Sequence, residues 1–208
     1  MLRRDVLKLA GAAALPTRVA IAESDRDRTL RLVPQSGLAV LDPLYTTAPV
    51  TAQHGFAIYD TLFAVDSRQQ VRPQMAEDVT LSDDGRTCSI RLREGLRFHN
   101  GEPVRARDCI ASLRRWCVRN LSGQAIAEQV DSWAAQDDRT IRIGLKRPLP
   151  ALLPLLAGDT GFMPFIMPEH VAATDPFKAM TETIGSGPYT QGSPHFYPVE
   201  SEACTLTR

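Results

Sequence analysis

Two stretches of the chain alternate apolar and polar residues, the pattern of a half-buried β-strand. The second half of Val79–Arg93 alternates in this way and follows a Ser-Asp-Asp-Gly turn signal at Ser82–Gly85. We therefore predict a β-hairpin over Val79–Arg93. The segment Arg139–Lys146 repeats the alternation after an Asp-Asp turn, so it predicts a further strand.

Between these strands, apolar residues recur at three- and four-residue spacing, which predicts an amphipathic helix. The apolar positions are Ala106, Ile110, Leu113 and Cys117, with Trp116 beside them. The polar positions are Arg107, Arg114, Arg115 and Arg119. We interpret the polar positions as a solvent-exposed face.

The connection from hairpin to helix reads FHNGEPVRARD. Asn100 and Gly101 predict a turn with positive φ, and Pro103 restricts the chain before a helix that begins at about Arg105. This places His99 and Glu102 in a structured loop, where a hydrogen-bonding role is favoured over catalysis.

Composition and charge are those of a globular protein. The 208 residues are 43% hydrophobic, and 24 Lys and Arg balance 24 Asp and Glu. The chain has no basic field of the kind that attracts nucleic acid, so we predict no nucleic-acid partner.

The first 22 residues have the pattern of an export signal. Arg3 and Arg4 precede a short apolar run, and Ala20-Ile21-Ala22 is a small-x-small cleavage pattern. The paired arginines favour the twin-arginine route over general secretion. A buried N-terminal helix is the alternative, but it does not explain the cleavage pattern. We predict cleavage before Glu23.

Cysteine and histidine patterns argue against catalysis and metal binding. No Cys directly follows the predicted cleavage site, so no lipid anchor is expected. Cys109 and Cys117 lie about 12 Å apart along a helix, too far for a disulfide, and should act as small hydrophobes. His54, His170 and His195 show no spacing that pairs them with a nucleophile or a metal. We therefore predict no enzyme, no cofactor and no metal.

Five segments together resemble the family 5 solute-binding proteins of ABC importers, which include periplasmic oligopeptide-, dipeptide- and nickel-binding proteins. The segments are LDP (41–43), IYDTLF (58–63), VRPQMAE (71–77), LSDDGRTCSIRLREGLRFHNGEPVRARD (81–108) and IGSGPY (184–189). The resemblance implies the α/β N-terminal lobe of a two-lobe protein, with a mixed sheet and flanking helices.

The resemblance also implies a domain division. Residues 23–189 correspond to the N-terminal lobe, and residues 190–208 form an atypical tail in which we predict no strand. Family members continue into a second lobe, so we expect a truncated or frame-shifted product, or a fragment. The implied ligand is a peptide. Nickel, an opine or another small solute, a nonfunctional remnant and a secreted hydrolase are the alternatives.

Ligand-binding residues are implied by the same resemblance. In the family, the segment after LDP lines the ligand, here Tyr45, Thr46 and Thr47, and the turn after the long helix approaches it, here Ser122 to Gln124. Hydroxyls, an amide and an aromatic edge suit a polar ligand, although an ordinary polar loop accounts for these residues equally well. The implied partners are the ligand and an inner-membrane ABC permease, with the protein itself a periplasmic monomer.

Overall fold

The computed structural model describes residues 29–32, 36–158, 163–191 and 204–207. The predicted export signal at residues 1–22, its cleavage site and His195 lie outside these residues. In chain order the elements are β1 (Thr29–Leu32), α1 (Pro49–Ile58), β2 (Phe63–Val65), β3 (Val71–Pro73), β4 (Ala76–Leu81), β5 (Thr87–Leu92), α2 (Ala106–Arg119), α3 (Leu121–Gln129), β6 (Val130–Ala135), β7 (Thr140–Leu145), α4 (Leu152–Leu156), α5 (Glu169–Ala172), β8 (Thr190–Gln191) and β9 (Cys204–Thr207).

The central sheet has four strands in the order β4-β5-β7-β6. The predicted hairpin is confirmed, because β4 and β5 pair antiparallel around the turn at Ser82–Gly85. The predicted strand in Arg139–Lys146 is confirmed as β7. We did not predict β6, whose Val-Asp-Ser-Trp-Ala-Ala sequence does not alternate regularly.

The α/β class is confirmed, but the expectation of a mixed sheet is not. Every strand pair among the described residues is antiparallel. The reason lies in the connections. The α2–α3 segment carries the chain from β5 to β6 at the sheet edge, and a hairpin then places β7 between them. Consequently, β5 and β6 are not neighbours.

Helix α2 begins where the sequence predicts. Asp108 accepts a hydrogen bond from the backbone N–H of Arg105 at 2.8 Å and so caps the first turn. Gly101 has a φ of 84°, as the predicted turn requires. Cys109 and Leu113 of α2 are fully buried in the same core as Ile90 and Ile141 of the sheet.

The tail contains strands that we did not predict. β8 and β9 pair with each other, and β9 also pairs with β1, in a second sheet of order β1-β9-β8. The four residues of β9 are too few to show a clear period. The pairing of β9 also depends on β1, a strand about 170 positions earlier in the chain.

Within the described residues, none of the helices has the length and apolar character needed to cross a membrane.

Candidate functional site

The LDP segment forms a turn that a buried carboxylate holds in place. Asp42 is fully buried, and its Oδ1 accepts hydrogen bonds from the backbone N–H groups of Leu44 at 3.0 Å and Tyr45 at 3.1 Å. An Asp side chain that bonds the backbone two and three residues further on is a standard turn device. The turn therefore fixes the start of the segment predicted to line a ligand.

Arg115 from α2 pairs with this carboxylate. Its Nη2 donates to Asp42 Oδ2 at 2.6 Å and to the carbonyl oxygen of Lys178 at 2.8 Å, and Nη1 donates to the carbonyl of Thr174. The two side chains of the ion pair are 1% and 0% exposed. Our interpretation of Arg115 as solvent-exposed is therefore wrong. The helical period places it beside its exposed neighbour Arg114, but the LDP turn and the Thr174–Lys178 segment cover it.

The segment after α2 is a helix start, not the turn that we predicted. The Asn120 side chain accepts hydrogen bonds from the backbone N–H groups of Ser122 at 2.9 Å and Gly123 at 3.3 Å, and so caps α3. Ser122 is buried in the first turn of α3. Gln124 is exposed and donates from Nε2 to the carbonyl of Val118 at 3.0 Å.

A cavity of about 220 Å³ lies between the LDP turn and the C-terminal end of α2. Its lining residues are Pro43, Leu44, Tyr45, Thr46, Thr47, Trp116, Arg119 and Asn120. The structure thus brings together the predicted residues Tyr45, Thr46 and Thr47. Ser122 and Gln124 do not line this cavity.

Arg119 and Asn120 are the polar lining residues that sequence reasoning missed. Arg119 Nη2 donates to the carbonyl of Tyr45 at 2.9 Å. Its guanidinium carbon lies 5.2 Å from the ring centroids of both Tyr45 and Phe177, within cation–π range. Nothing in the helical period separates Arg119 from the other arginines of α2. The sequence did contain a signal for Asn120, which precedes an apolar residue at a helix start.

His99 ties the loop before α2 to the IGSGPY segment, which confirms its hydrogen-bonding role. Its backbone N–H donates to the carbonyl of Gly185 at 2.8 Å, and its Nε2 lies 2.9 Å from the carbonyl of Gly187. Because a carbonyl oxygen only accepts, Nε2 carries the proton. Glu102 contributes through its backbone, which accepts from Phe98 N–H at 2.9 Å and donates to Asn100 Oδ1 at 3.1 Å.

The buried cysteine thiols and the buried His54 imidazole are uncharged at neutral pH. Burial raises the pKa of Cys88 to about 11 and that of Cys117 to about 12, and it also raises the pKa of Cys109. These cysteines are free and stay protonated at neutral pH. Cys109 and Cys117 therefore pack as small hydrophobes, as predicted. Burial lowers the pKa of His54 to about 4. Among the described residues, no group of three or more His, Cys, Asp or Glu could hold a metal ion.

The fold is that of a family of binding proteins. Residues 70–196 match the family described as bacterial extracellular solute-binding proteins, family 5 Middle. The chain belongs to this family, and the resemblance seen in the five sequence segments is confirmed.

Two relatives and one solved structure illustrate the similarity. The chain is 43% identical over 195 residues, 90% of its length and 35% of the relative's, to the "Probable peptide ABC transporter periplasmic-binding protein y4tO" of Sinorhizobium fredii. It is 28% identical over 191 residues, 90% of its length and 36% of the relative's, to the "Glutathione-binding protein GsiB" of Escherichia coli O157:H7. The substrate-binding domain of an oligopeptide ABC transporter from Bacillus anthracis superposes with a TM-score of 0.63 at 21% identity, covering 76% of this chain and 34% of that one.

The chain spans about a third of the length of the proteins it matches. The structural likeness at 21% identity shows the fold. This fold, which covers about a third of the solved structure, agrees with the expected single lobe of a family 5 protein.

Proposed function

We propose that this chain supplies one wall of a peptide-binding site in the periplasmic component of an ABC importer. The observation that carries the proposal is the cavity behind the LDP turn, where Tyr45, Thr46 and Thr47 lie together with Asn120. Hydroxyl and amide groups around a concave surface suit the polar backbone of a peptide. The 43% identity to a relative named as a peptide-binding protein supports the same ligand class.

We propose that the chain binds a solute and does not catalyse a reaction. The family is one of solute-binding proteins, and the described residues that line the cavity include no Ser, Cys or His that could act as a nucleophile or base.

The cellular setting is also part of the proposal. We propose that residues 1–22 direct export by the twin-arginine route and that the mature protein is a periplasmic monomer that delivers its ligand to an inner-membrane permease. The paired Arg3 and Arg4 and the Ala20-Ile21-Ala22 pattern support this. Replacing both arginines by Lys should leave the protein in the cytoplasm. Normal delivery of that variant would show that the general secretory route is used.

A titration monitored by ¹⁵N–¹H NMR tests the ligand class. We expect tripeptides to shift the backbone signals of the cavity-lining residues more than free alanine does. Thr47 is an exposed residue of the cavity lining. Thr47→Val removes its hydroxyl while keeping the side-chain shape, and it should weaken tripeptide binding by a few fold, since one neutral hydrogen bond contributes about 1 kcal/mol.

Thr80→Val is the matched control for this experiment, because Thr80 is exposed on β4, within the hairpin. Equal weakening by both variants, or shifts that avoid the cavity, would contradict peptide binding at this place.

A further inference from the structure

The cavity carries one positive charge, and the lining that the structure describes has no carboxylate to balance it. Of the described residues that line it, only Arg119 is ionised at neutral pH, and none is acidic. The nearby Asp42 carboxylate is buried behind the turn and already paired with Arg115. A ligand group in the cavity therefore meets a net positive field.

Arg119 is an exposed residue whose guanidinium makes three contacts with its neighbours. Two aromatic rings lie 5.2 Å from it, and Nη2 donates to the Tyr45 carbonyl at 2.9 Å. A guanidinium has five N–H groups. Within the described part of the chain, the bond to the Tyr45 carbonyl is the one hydrogen bond that the Arg119 guanidinium makes. These contacts reduce the number of orientations open to the side chain, so it loses less entropy on binding a ligand than a side chain without contacts does.

Asn120 adds a donor at the same place. Its Oδ1 is occupied by the backbone N–H groups of Ser122 and Gly123. The residue lines the cavity, and among the described residues its amide nitrogen, which can only donate, shows no acceptor. The polar end of the cavity next to α2 is therefore rich in donors and carries a positive charge.

We propose that Arg119, assisted by Asn120, binds a carboxylate group of the ligand and so determines its specificity. The planar guanidinium matches the two oxygens of a carboxylate. At about 220 Å³ the cavity is smaller than the roughly 300–1,000 Å³ of sites that enclose a whole small ligand, so it takes the acidic end of a longer one. This assignment rests on the proposed function, because it names the part of the ligand that the same cavity holds.

The test compares two probes that differ only in this group, Ala-Ala-Ala and its C-terminal amide, by ¹⁵N–¹H NMR titration of the 208-residue chain, including the Arg119 side-chain Nε–H signal. We expect the acid to bind a few fold tighter than the amide, because Arg119 is exposed and solvent weakens a surface ion pair. Arg119→Gln should bring the ratio to about one, and Arg119→Lys should leave it in between.

Arg114→Gln, at an exposed position of the same helix, should keep the wild-type ratio. The ratio is the readout because general damage to the cavity weakens both probes alike. A ratio of one in the wild type, or a preference for the acid that survives Arg119→Gln, would overturn the carboxylate assignment while leaving peptide binding intact.

Succinate is the third probe, and it separates the two proposals. If neither peptide binds but succinate does so in an Arg119-dependent way, the carboxylate assignment stands and the peptide proposal fails. If none of the three binds, both fail.

Discussion

At the scale of single residues, the Arg115–Asp42 pair determines the position of the LDP turn. One charge comes from the middle of α2 and the other from a loop more than seventy residues earlier, and both are almost completely buried. Asp42 Oδ2 also accepts from the backbone N–H of Met180 at 3.0 Å. Three segments that are distant in sequence therefore meet at a single carboxylate.

Removing the cation should strongly destabilise the protein. We expect Arg115→Met to lower the free energy of unfolding by about 3–5 kcal/mol, because it leaves Asp42 buried without a partner. Arg114→Met, the exposed neighbour, should change the value by no more than about 0.5 kcal/mol. Urea denaturation at pH 7 measures both. Adding Asp42→Asn to Arg115→Met should recover part of the loss, and equal effects of the two single Arg variants would contradict the role of the pair.

His54 makes stability depend on pH. It is 1% exposed in α1, and burial lowers the pKa of its imidazole from 6.5 to about 4. Between these pH values the unfolded chain binds a proton that the folded chain does not. The free energy of unfolding is therefore highest, as far as His54 is concerned, above pH 6.5, and it decreases as the pH falls towards 4. The full loss is about 3 kcal/mol.

A substitution isolates this effect from other titrating groups. His54→Leu removes the imidazole, so the stability of the wild type relative to this variant should decrease as the pH falls from 7 to about 4.5. Urea midpoints across this range provide the measurement. A difference that stays constant with pH would show that His54 does not titrate as its burial predicts.

At the scale of elements, the IGSGPY segment packs directly on the end of α1. A Cβ built on Gly185 would lie 1.9 Å from the carbonyl oxygen of Ile58, a backbone atom with little freedom to move. The Gly187 N–H donates to this oxygen at 2.8 Å. The crossing of the two segments therefore requires a residue without a side chain.

Gly185→Ala should destabilise the protein by about 1–3 kcal/mol, the usual cost of overpacking. It should also weaken the hydrogen bond from His99 N–H to the Gly185 carbonyl. Gly37→Ala is the control, because a Cβ at Gly37 meets nothing within 4 Å. Urea denaturation compares the two, and a Gly185→Ala variant as stable as Gly37→Ala would mean that the crossing is looser than the structure shows.

Elements with their own local signal could be predicted from the sequence, and elements that depend on distant partners could not. The β4–β5 hairpin has a turn motif and an alternating strand, and α2 has a period and a capping residue. β9 depends on pairing with β1, and the burial of Arg115 depends on Asp42. The site shows the same division. The family resemblance predicted Tyr45, Thr46 and Thr47. Arg119 could not be predicted in the same way, because its place in the cavity depends on contacts with Tyr45 and Phe177.

At the scale of the whole molecule, α2 connects the cavity to the core. Beyond Arg115, Ser112 Oγ accepts from the Met167 N–H at 3.0 Å, and Asp108 Oδ1 accepts from the Glu169 N–H at 2.8 Å. These bonds fix the segment around α5 to the helix that carries Arg119. A cavity wall held in this way loses little freedom when a ligand binds.

The same geometry limits how tightly the 208-residue chain can bind alone. A cavity of about 220 Å³ leaves most of a peptide in water, and each neutral hydrogen bond then contributes about 1 kcal/mol. A few such bonds and one exposed charged contact barely offset an association cost of about 4 kcal/mol or more. We therefore expect calorimetry against a peptide library to find a Kd no tighter than the millimolar range, near −4 kcal/mol. A micromolar peptide would contradict this and would mean that these residues form a more complete site than one wall.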